Sequence, residues 1–263
     1  DISLLIKTNN EIAKKRLVKT LQNINTGYKI SKLFNENKIE YVFLKGFYLT
    51  NFLYESMQLR PINDVDILVR KKDFEQAKKL LLEKLKLNKS KQRFSNLKNH
   101  SRPFYSPDGL SRVELHFQIF DQHKSIKIEN DIFKYKREIA FKDTLLPFLP
   151  RELNLLHVIS HGTSDGIFDV GIQYLFDVIN ILNKDSVNTD RLCHYIDILD
   201  LKKEVALTSK ILDNLEFLEY SEDYFLKNNT TPQEILKKSE SLLFKLQPKN
   251  SMLEIFYKKK PEN

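Results

Sequence analysis

Residues 59–70 read LRPINDVDILVR, in which two carboxylates stand one residue apart where an apolar strand begins. Successive side chains of a strand point to opposite faces, so Asp64 and Asp66 project to the same side, about 7 Å apart along the backbone. Like charges repel at this distance. A divalent cation relieves the repulsion, and Mg²⁺ typically binds through one or two carboxylates plus substrate phosphates. The pattern therefore predicts a metal-dependent phosphoryl or nucleotidyl transfer site.

A short turn precedes this stretch. Residues 39–44 are apolar and β-prone, the run stops at Lys45-Gly46, and helical spacing follows over residues 47–55. We therefore expect a strand, a turn and a helix in that order. A glycine turn that leads into a helix presents free backbone N–H groups and the positive end of the helix dipole to phosphate oxygens, and Gly46 has the required position.

A strand with one polar and one apolar face is expected at residues 111–119, SRVELHFQI, because polar and apolar side chains alternate there. The apolar face collects Val113, Leu115, Phe117 and Ile119, and the polar face collects Arg112, Glu114, His116 and Gln118. Taken alone, such a strand could equally expose its polar face to solvent. Beside Asp64 and Asp66, however, Glu114 becomes the candidate third carboxylate, which would complete a metal site and activate an attacking hydroxyl.

Together these residues resemble a known group of proteins, the nucleotidyltransferase superfamily of the DNA polymerase β type. The resemblance is carried by Leu44-Lys45-Gly46, then by Arg60-x-x-x-Asp64-x-Asp66, and later by Glu114-Leu115-His116. More narrowly, the chain is similar to an uncharacterised bacterial nucleotidyltransferase-like family with a Leu-Lys-Gly turn and an Arg-x-x-x-Asp-x-Asp strand. The similarity is close over about residues 40–120 and looser in the helices that contain His157 and Asp177.

This resemblance implies a mixed β-sheet flanked by helices. It also implies that Asp64, Asp66 and Glu114 hold Mg²⁺ or Mn²⁺, and that a nucleoside monophosphate is transferred from a nucleoside triphosphate (NTP) to an acceptor. The wider superfamily has Gly-Ser at the turn, whereas this chain has Lys45-Gly46 followed by phenylalanine and lacks the hydroxyl. Lys45 is expected to contact phosphate instead, as a point charge.

Arg60 and Asn63 stand next to the carboxylate pair and are further expected phosphate contacts. Two interpretations of Arg60 stay open, because its guanidinium could clamp a phosphate or could brace the loop by pairing with Asp64. His116 shares a strand face with Glu114. Support of that carboxylate is favoured over proton transfer by His116, because a carboxylate already serves as the base.

His157 and His161 stand four residues apart on a predicted helix, a spacing that can chelate zinc. Neither a Glu-x-x-His frame nor a nearby cysteine accompanies them. We expect both in the core or at a domain interface, and contact with the acceptor or the nucleotide is the second interpretation.

The length of 263 residues suits two domains, and 18 Phe and 11 Tyr can fill their cores. The pattern predicts an α+β unit at residues 1–147 and an all-helical unit at residues 148–263. Residues 1–37 are expected to form one helix, or two if Gly27 interrupts it. Asp73 is the expected N-cap of a helix in the first unit. Other expected elements are helices at 151–161, 170–182, 189–199, 202–212, 222–226 and 233–246, and weak strands at 92–97 and 103–106.

The single cysteine, Cys193, excludes an internal disulfide framework and a multi-cysteine zinc site, which fits a reducing cytoplasm, and we expect its thiol to be buried. The apolar runs are shorter than the roughly 18 residues that a membrane span needs. The chain is therefore expected in the cytoplasm, without a membrane partner. The sequence gives no sign of an oligomeric state.

Basic residues are concentrated in one segment. The net charge is +8, and residues 70–102 alone hold twelve Lys or Arg against three Asp or Glu. Such a run is usually a solvated helix face. The other interpretation is a surface that steers polyanions toward a site.

Three functions stay open at this point. The favoured one transfers the nucleotidyl group to a hydroxyl or phosphate of a small molecule or sugar phosphate. In the second, the acceptor is RNA or a protein, and the basic segment at 70–102 would favour RNA. In the third, a catalytically degenerate member binds nucleotide or a partner without turnover, since a fold does not secure chemistry.

Overall fold

A computed structural model describes residues 2–90, 100–163 and 173–214. The strands within these residues are β1 (Tyr41–Phe43), β2 (Val65–Val69), β3 (Asn88–Lys89), β4 (Phe104–Tyr105), β5 (Arg112–His116), β6 (Arg137–Phe141) and β7 (Thr144–Phe148). They form one mixed sheet in the order β3-β4-β5-β2-β1-β7-β6. The strands expected at residues 39–44, 64–69, 103–106 and 111–119 are thus confirmed, with shorter bounds.

The described helices are α1 (Ile2–Glu36), α2 (Lys45–Tyr48) with a π-helical continuation (Leu49–Leu53), α3 (Phe74–Glu83), α4 (Gln122–Lys134), α5 (Arg151–Thr163), α6 (Gln173–Lys184), α7 (Thr189–Ile198) and α8 (Lys202–Asn214). This order confirms a mixed sheet with helices, followed by a helical part. The strand expected at 92–97 and the helices expected at 222–226 and 233–246 lie outside the described residues. Among the described helices, none is long and apolar enough to cross a membrane.

The centre of the sheet brings the predicted acidic residues together. β2 and β5 are adjacent and parallel, and their register places Asp66 opposite Glu114. Burial alternates along β5, which confirms the two predicted faces for residues 112–116, whereas residues 117–119 lie beyond the end of the strand. β1 runs antiparallel to β2, and the N–H of Leu44 donates to the carbonyl of Asp66 at 3.0 Å. The start of α2 is thereby held beside Asp66.

Helix α1 is continuous through Gly27, so of the two alternatives, one or two N-terminal helices, the structure has one. The glycine serves close packing instead, because a Cβ at residue 27 would lie 2.3 Å from Cε2 of Phe47. The Phe47 ring in turn stacks on Phe43, with centroids 4.3 Å apart. Glycine at this position lets α1 approach α2 and β1.

Helix α1 also holds the loop that precedes β2. The Ile62 N–H donates to Oγ1 of Thr20 at 3.1 Å, and Nδ2 of Asn23 donates to the Ile62 carbonyl at 3.0 Å. Asn23 Oδ1 accepts the N–H of Arg112 at 3.2 Å, so one buried side chain joins this loop to the start of β5. These bonds position the acidic ends of both strands.

Helix α4 and the β6–β7 hairpin have no counterpart in the sequence-based prediction. The hairpin places Pro147 inside β7, opposite Glu138. The domain boundary near residue 147 thus falls within a strand, and it stays a prediction. One hydrophobic cluster contains side chains from both sides of that boundary, for example Phe43 and Leu155.

Two local expectations need correction. Cys193 is exposed, so the expected buried thiol is wrong. Asp73 occupies the N-cap position of α3, but its side chain makes no capping hydrogen bond, because a 3₁₀ turn (Lys71–Asp73) leads directly into the helix.

Candidate active site

A cavity of about 490 Å³ lies between the sheet and helices α5 and α6. All ten candidate residues from the sequence line it, namely Lys45, Gly46, Arg60, Asn63, Asp64, Asp66, Glu114, His116, His157 and His161. Its other lining residues are Ile62, His100, Arg112, Gln118, Ile119, Val158, Tyr174 and Asp177. We call the side formed by Asp64, Asp66, Arg112, Glu114 and His116 the sheet face, and the side formed by His157, Val158, His161 and Tyr174 the helical wall.

The sheet face contains a compact group of metal-ligand types. One ligand atom from each of Asp66, Glu114 and His116 lies within 4.8 Å of the others. Nε2 of His116 is 3.2 Å from Oδ1 of Asp66 and 3.9 Å from Oε2 of Glu114. The sequence led us to expect Asp64 with these two carboxylates, whereas in the structure His116 completes the group.

Asp64 lies just before β2 and pairs with Arg112, a cation for which the sequence predicted no role. Nη1 of Arg112 is 3.9 Å from Oδ2 of Asp64, and Nη2 of the same side chain donates to Glu114. Burial and the neighbouring charges of Asp66 and Glu114 raise the pKa of Asp64 to about 6. Burial also disfavours the ionised form of Asp66, but the hydrogen bond and charge of His116 outweigh it, so the pKa of Asp66 is lowered. Asp64 therefore binds a proton more readily than Asp66, although the two residues are only two positions apart in the sequence.

The turn after β1 differs in detail from the expectation. Lys45 is the residue with a left-handed backbone, with φ at 31°, and Gly46 already belongs to the first turn of α2. A Cβ at residue 46 would be 3.9 Å from Nη1 of Arg60 and 4.0 Å from Cγ2 of Ile62, which is ordinary contact. Burial lowers the pKa of Lys45, although the charges of Asp66 and its acidic neighbours oppose this effect. Gly46 thus widens the cavity next to two cationic side chains.

Arg60 braces the structure, but through a partner other than the expected Asp64. Its Nε is 2.8 Å from Oδ1 of Asp177 on α6, and its Nη2 is 2.9 Å from Oδ2. Tyr54 also donates to Asp177, at 2.7 Å. The Asp177 side chain is only 5% exposed, so this pair is buried. Arg60 Nη1 bonds the Pro61 carbonyl at 3.3 Å and lies on the Gly46 side, where the cavity begins.

The helical wall presents neutral imidazoles. His157 is 5% exposed, and its Nδ1 has no hydrogen-bond partner among the described residues. Burial, followed by the charge of Lys45, lowers the pKa of His157 well below its usual value. His161 is exposed, so the expectation of a core position holds for His157 and not for His161. The charge of Lys45, followed by the partial enclosure of the ring in the cavity, lowers the pKa of His161 to about 4. Both rings are therefore uncharged at neutral pH.

Sequence reasoning gave no functional role to eight of the lining residues, and three of these, Arg112, His100 and Asp177, carry a charge or an imidazole. The alternation of β5 could have identified Arg112, since it places that side chain on the face of Glu114. His100 is brought to the cavity by an isolated β-bridge to His116, and no local sequence pattern indicates this contact. The resemblance points to the helix that contains Asp177 but not to the role of this residue, because its pairing with Arg60 spans 117 positions of sequence.

A mixed sheet with carboxylates on two adjacent parallel strands, beside a lysine turn, fits the nucleotidyltransferase class that the sequence resembles. A family model described as an uncharacterised nucleotidyltransferase matches residues 7–215. The chain belongs to this family, and the predicted superfamily membership is confirmed. A comparison with curated proteins gave no significant match.

Three solved structures are similar to the chain at low identity. A nucleotidyltransferase-like antigenic protein from Paracoccidioides brasiliensis has a TM-score of 0.45 and 14% identity, covering 71% of this chain and 91% of that one. The antibiotic-resistance factor ANT(2'')-Ia has a TM-score of 0.47 and 9% identity, covering 75% and 97%. JHP933 from Helicobacter pylori has a TM-score of 0.41 and 14% identity, covering 86% and 96%. The family assignment rests on the family model.

Proposed function

We propose that this nucleotidyltransferase moves a nucleoside monophosphate from an NTP to a hydroxyl or phosphate of a small acceptor, such as a sugar phosphate, with Mg²⁺ or Mn²⁺. The observation that carries the proposal is the pairing of Asp66 with Glu114 across two parallel strands, at a cavity that also contains Lys45 and Arg60. A volume of about 490 Å³ lies within the range of small-molecule sites. The size of the cavity therefore suits a nucleotide or another small molecule.

The residues present fit a divalent cation. Asp66 and Glu114 offer carboxylate oxygens close together, and Asp64 offers another that lines the same cavity. The chemistry supplied by a bound ion here would be stabilisation of the charge that develops on the α-phosphate and on the attacking oxygen.

The other steps belong to side chains of this chain. Glu114 or Asp66 accepts the proton of the acceptor hydroxyl. The acceptor oxygen then forms a bond to the α-phosphorus, the bond from that phosphorus to the oxygen bridging the β-phosphate breaks, and pyrophosphate leaves. Lys45 and Arg60 contact the phosphates with Asn63 and the Gly46 backbone, and their charges offset those of the leaving group.

The helical wall is the proposed acceptor side. His157 lines the cavity, so its imidazole is the proposed hydrogen-bond partner of an acceptor hydroxyl. Its Nδ1 is itself buried and has no partner among the described residues, so a rotation of the ring is needed to bring this atom to the acceptor. His161 stands one helical turn further along α5 and lines the same cavity. Neutral imidazoles suit an uncharged hydroxyl, because they both donate and accept hydrogen bonds.

The test is pyrophosphate release from each NTP in turn, with Mg²⁺ or Mn²⁺ and a panel of hydroxyl and phosphate acceptors. We expect one NTP to support release by the wild type and Asp66→Asn to abolish it. Asp143→Asn is the matched control, because Asp143 is exposed and pairs with Lys32 away from the cavity. If wild type and Asp66→Asn release pyrophosphate equally with every acceptor, the proposal fails.

A macromolecular acceptor is the second candidate, and the described part of the basic segment favours RNA over protein. Its exposed lysines include Lys71, Lys72, Lys79, Lys84, Lys86 and Lys89. Phosphate contacts by such side chains give a binding constant that falls steeply with salt. RNA binding that weakens strongly between low and moderate salt, together with labelling of the RNA by the NTP, would support this acceptor.

Nucleotide binding without turnover is the third candidate. Each carboxylate of the sheet face already has a cationic or imidazole partner, since Asp66 pairs with His116 and both Asp64 and Glu114 pair with Arg112. This balance suits a face that works without a metal ion. Calorimetry would then show NTP affinity that is unchanged by EDTA, and no pyrophosphate would appear.

A further inference from the structure

We infer that His116 is a direct metal ligand, and that the site therefore prefers a first-row transition ion such as Mn²⁺ to Mg²⁺. This inference rests on the proposed function, because it concerns the ion of the same site. It goes beyond the three carboxylates that the sequence resemblance implies, and it assigns His116 a role other than support of Glu114.

The spacing of the donor atoms supports direct ligation. At bond lengths of about 2.1 Å, two ligands of a six-coordinate ion are about 3 Å apart when adjacent and about 4.2 Å apart when opposite. Nε2 of His116 is 3.2 Å from the Asp66 oxygen and 3.9 Å from the Glu114 oxygen. Both distances fall between these two values. An ion can therefore take the three donors with small side-chain movements.

The strand position of His116 and the packing of its ring restrict the orientation of this side chain. The strand alternation of β5 places it two residues beyond Glu114 on the same face. Its ring packs against the ring of His100, with centroids 5.0 Å apart, and its side chain is 13% exposed. Nε2 consequently faces the carboxylates, and little rotamer freedom is left to lose on binding.

The type of donor sets the preference among ions. Mg²⁺ takes oxygen ligands and keeps several waters, whereas imidazole nitrogen suits first-row transition ions. Two carboxylates and one imidazole therefore form a mixed oxygen and nitrogen site. A site of Asp64, Asp66 and Glu114 alone would not discriminate in this way.

The test is pulsed electron paramagnetic resonance of Mn²⁺ bound to the purified full chain without an affinity tag. The expected result is nitrogen coupling to Mn²⁺ in the wild type and in His123→Gln, a matched exposed histidine outside the cavity, and no coupling in His116→Gln. Calorimetry should show Mn²⁺ affinity about tenfold or more weaker in His116→Gln, with Mg²⁺ affinity changed far less.

Two additions keep the test decisive. Labelling histidine with ¹⁵N in the wild type must change the coupling, which requires no substitution and so does not depend on the folding of a variant. The inference is overturned if Mn²⁺ bound to the wild type shows no nitrogen coupling. It is also overturned if the coupling persists in His116→Gln but is lost in His100→Gln. If Asp66-dependent pyrophosphate release occurs without nitrogen coupling, the proposed function stands and this inference fails. If His116-dependent nitrogen coupling occurs in a chain that releases no pyrophosphate, the ligation stands and the proposed function fails.

Discussion

The sheet face and the helical wall enclose the same cavity but differ in charge. The sheet face holds three carboxylates, an arginine and His116, with each carboxylate close to a cation or an imidazole. The described part of the helical wall holds the neutral rings of His157, His161 and Tyr174. Phosphates and metal ions require charged groups, whereas an acceptor hydroxyl requires hydrogen bonds. This difference is the reason for proposing that the NTP binds on the side of the sheet face and the acceptor on the side of the helical wall.

The largest effect should come from the sheet face. Glu114→Gln removes both a metal ligand and the proposed base, so we expect kcat to fall by about 10²- to 10⁴-fold. Steady-state pyrophosphate release measures this loss, and Glu75→Gln on the exposed surface of α3 serves as the control. A variant that keeps more than about a tenth of the wild-type kcat would contradict the role of Glu114.

The next largest effect concerns Arg60, which could contact a phosphate or only brace the structure through Asp177. Asp177→Leu leaves a buried guanidinium without its partner, so the free energy of unfolding in urea should drop by about 3–5 kcal/mol. Adding Arg60→Met should restore most of that stability, because an apolar pair replaces the ion pair.

A loss of NTP affinity in the double variant Asp177→Leu/Arg60→Met is expected only if Arg60 contacts a phosphate. If Arg60 clamps phosphate, NTP affinity should be about tenfold weaker there than in the wild type, since hydrogen bonds to charged groups contribute about 1.5–3 kcal/mol. Equal affinity in a stable double variant would assign Arg60 to bracing alone.

A smaller effect is expected on the helical wall. His157→Leu removes a buried nitrogen that has no described partner, so stability should stay the same or rise by about 1 kcal/mol. The acceptor-dependent rate should fall about tenfold, because one hydrogen bond to the acceptor is lost. NTP affinity should not change, and His194→Gln, exposed on α7, is the control. If His157→Leu instead lowers the free energy of unfolding and leaves the acceptor-dependent rate unchanged, His157 is a core residue that does not contact the acceptor.

The smallest effect on catalysis is expected from Gly46→Ala. The added methyl makes ordinary contacts beside Arg60 and narrows the phosphate side of the cavity. The KM for NTP should rise a few-fold, with unfolding free energy changed by less than about 1 kcal/mol. Gly27→Ala is the informative counterpart, because its Cβ would collide with the Phe47 ring and cost about 1–3 kcal/mol without touching the cavity. A larger stability loss in Gly46→Ala than in Gly27→Ala would be inconsistent with this packing.

The sequence predicts the sheet face better than its surroundings. Period-2 alternation identifies β5, and an apolar run identifies β2, because both patterns are local. Their parallel register then places Asp66 beside Glu114. The helices α5 to α8 follow from helical spacing for the same reason.

Features that depend on distant contacts were not predictable. The partner of Arg60 is Asp177 rather than Asp64, and the compact group of possible ligand atoms contains His116 beside Asp66 and Glu114. Gly27 looks like a helix breaker, although it permits a close approach to Phe47. In each case tertiary packing decides between alternatives that are equal in local sequence.

Calorimetry of an NTP analogue with a methylene group between the α- and β-phosphates tests the central claim most directly. The sheet face is proposed to bind a divalent ion and the triphosphate together. We expect tight binding by the wild type with Mg²⁺ or Mn²⁺, weak binding after EDTA, and weak binding by Asp66→Asn under both conditions. Equal affinity with and without the ion, or in Asp66→Asn and the wild type, would contradict it.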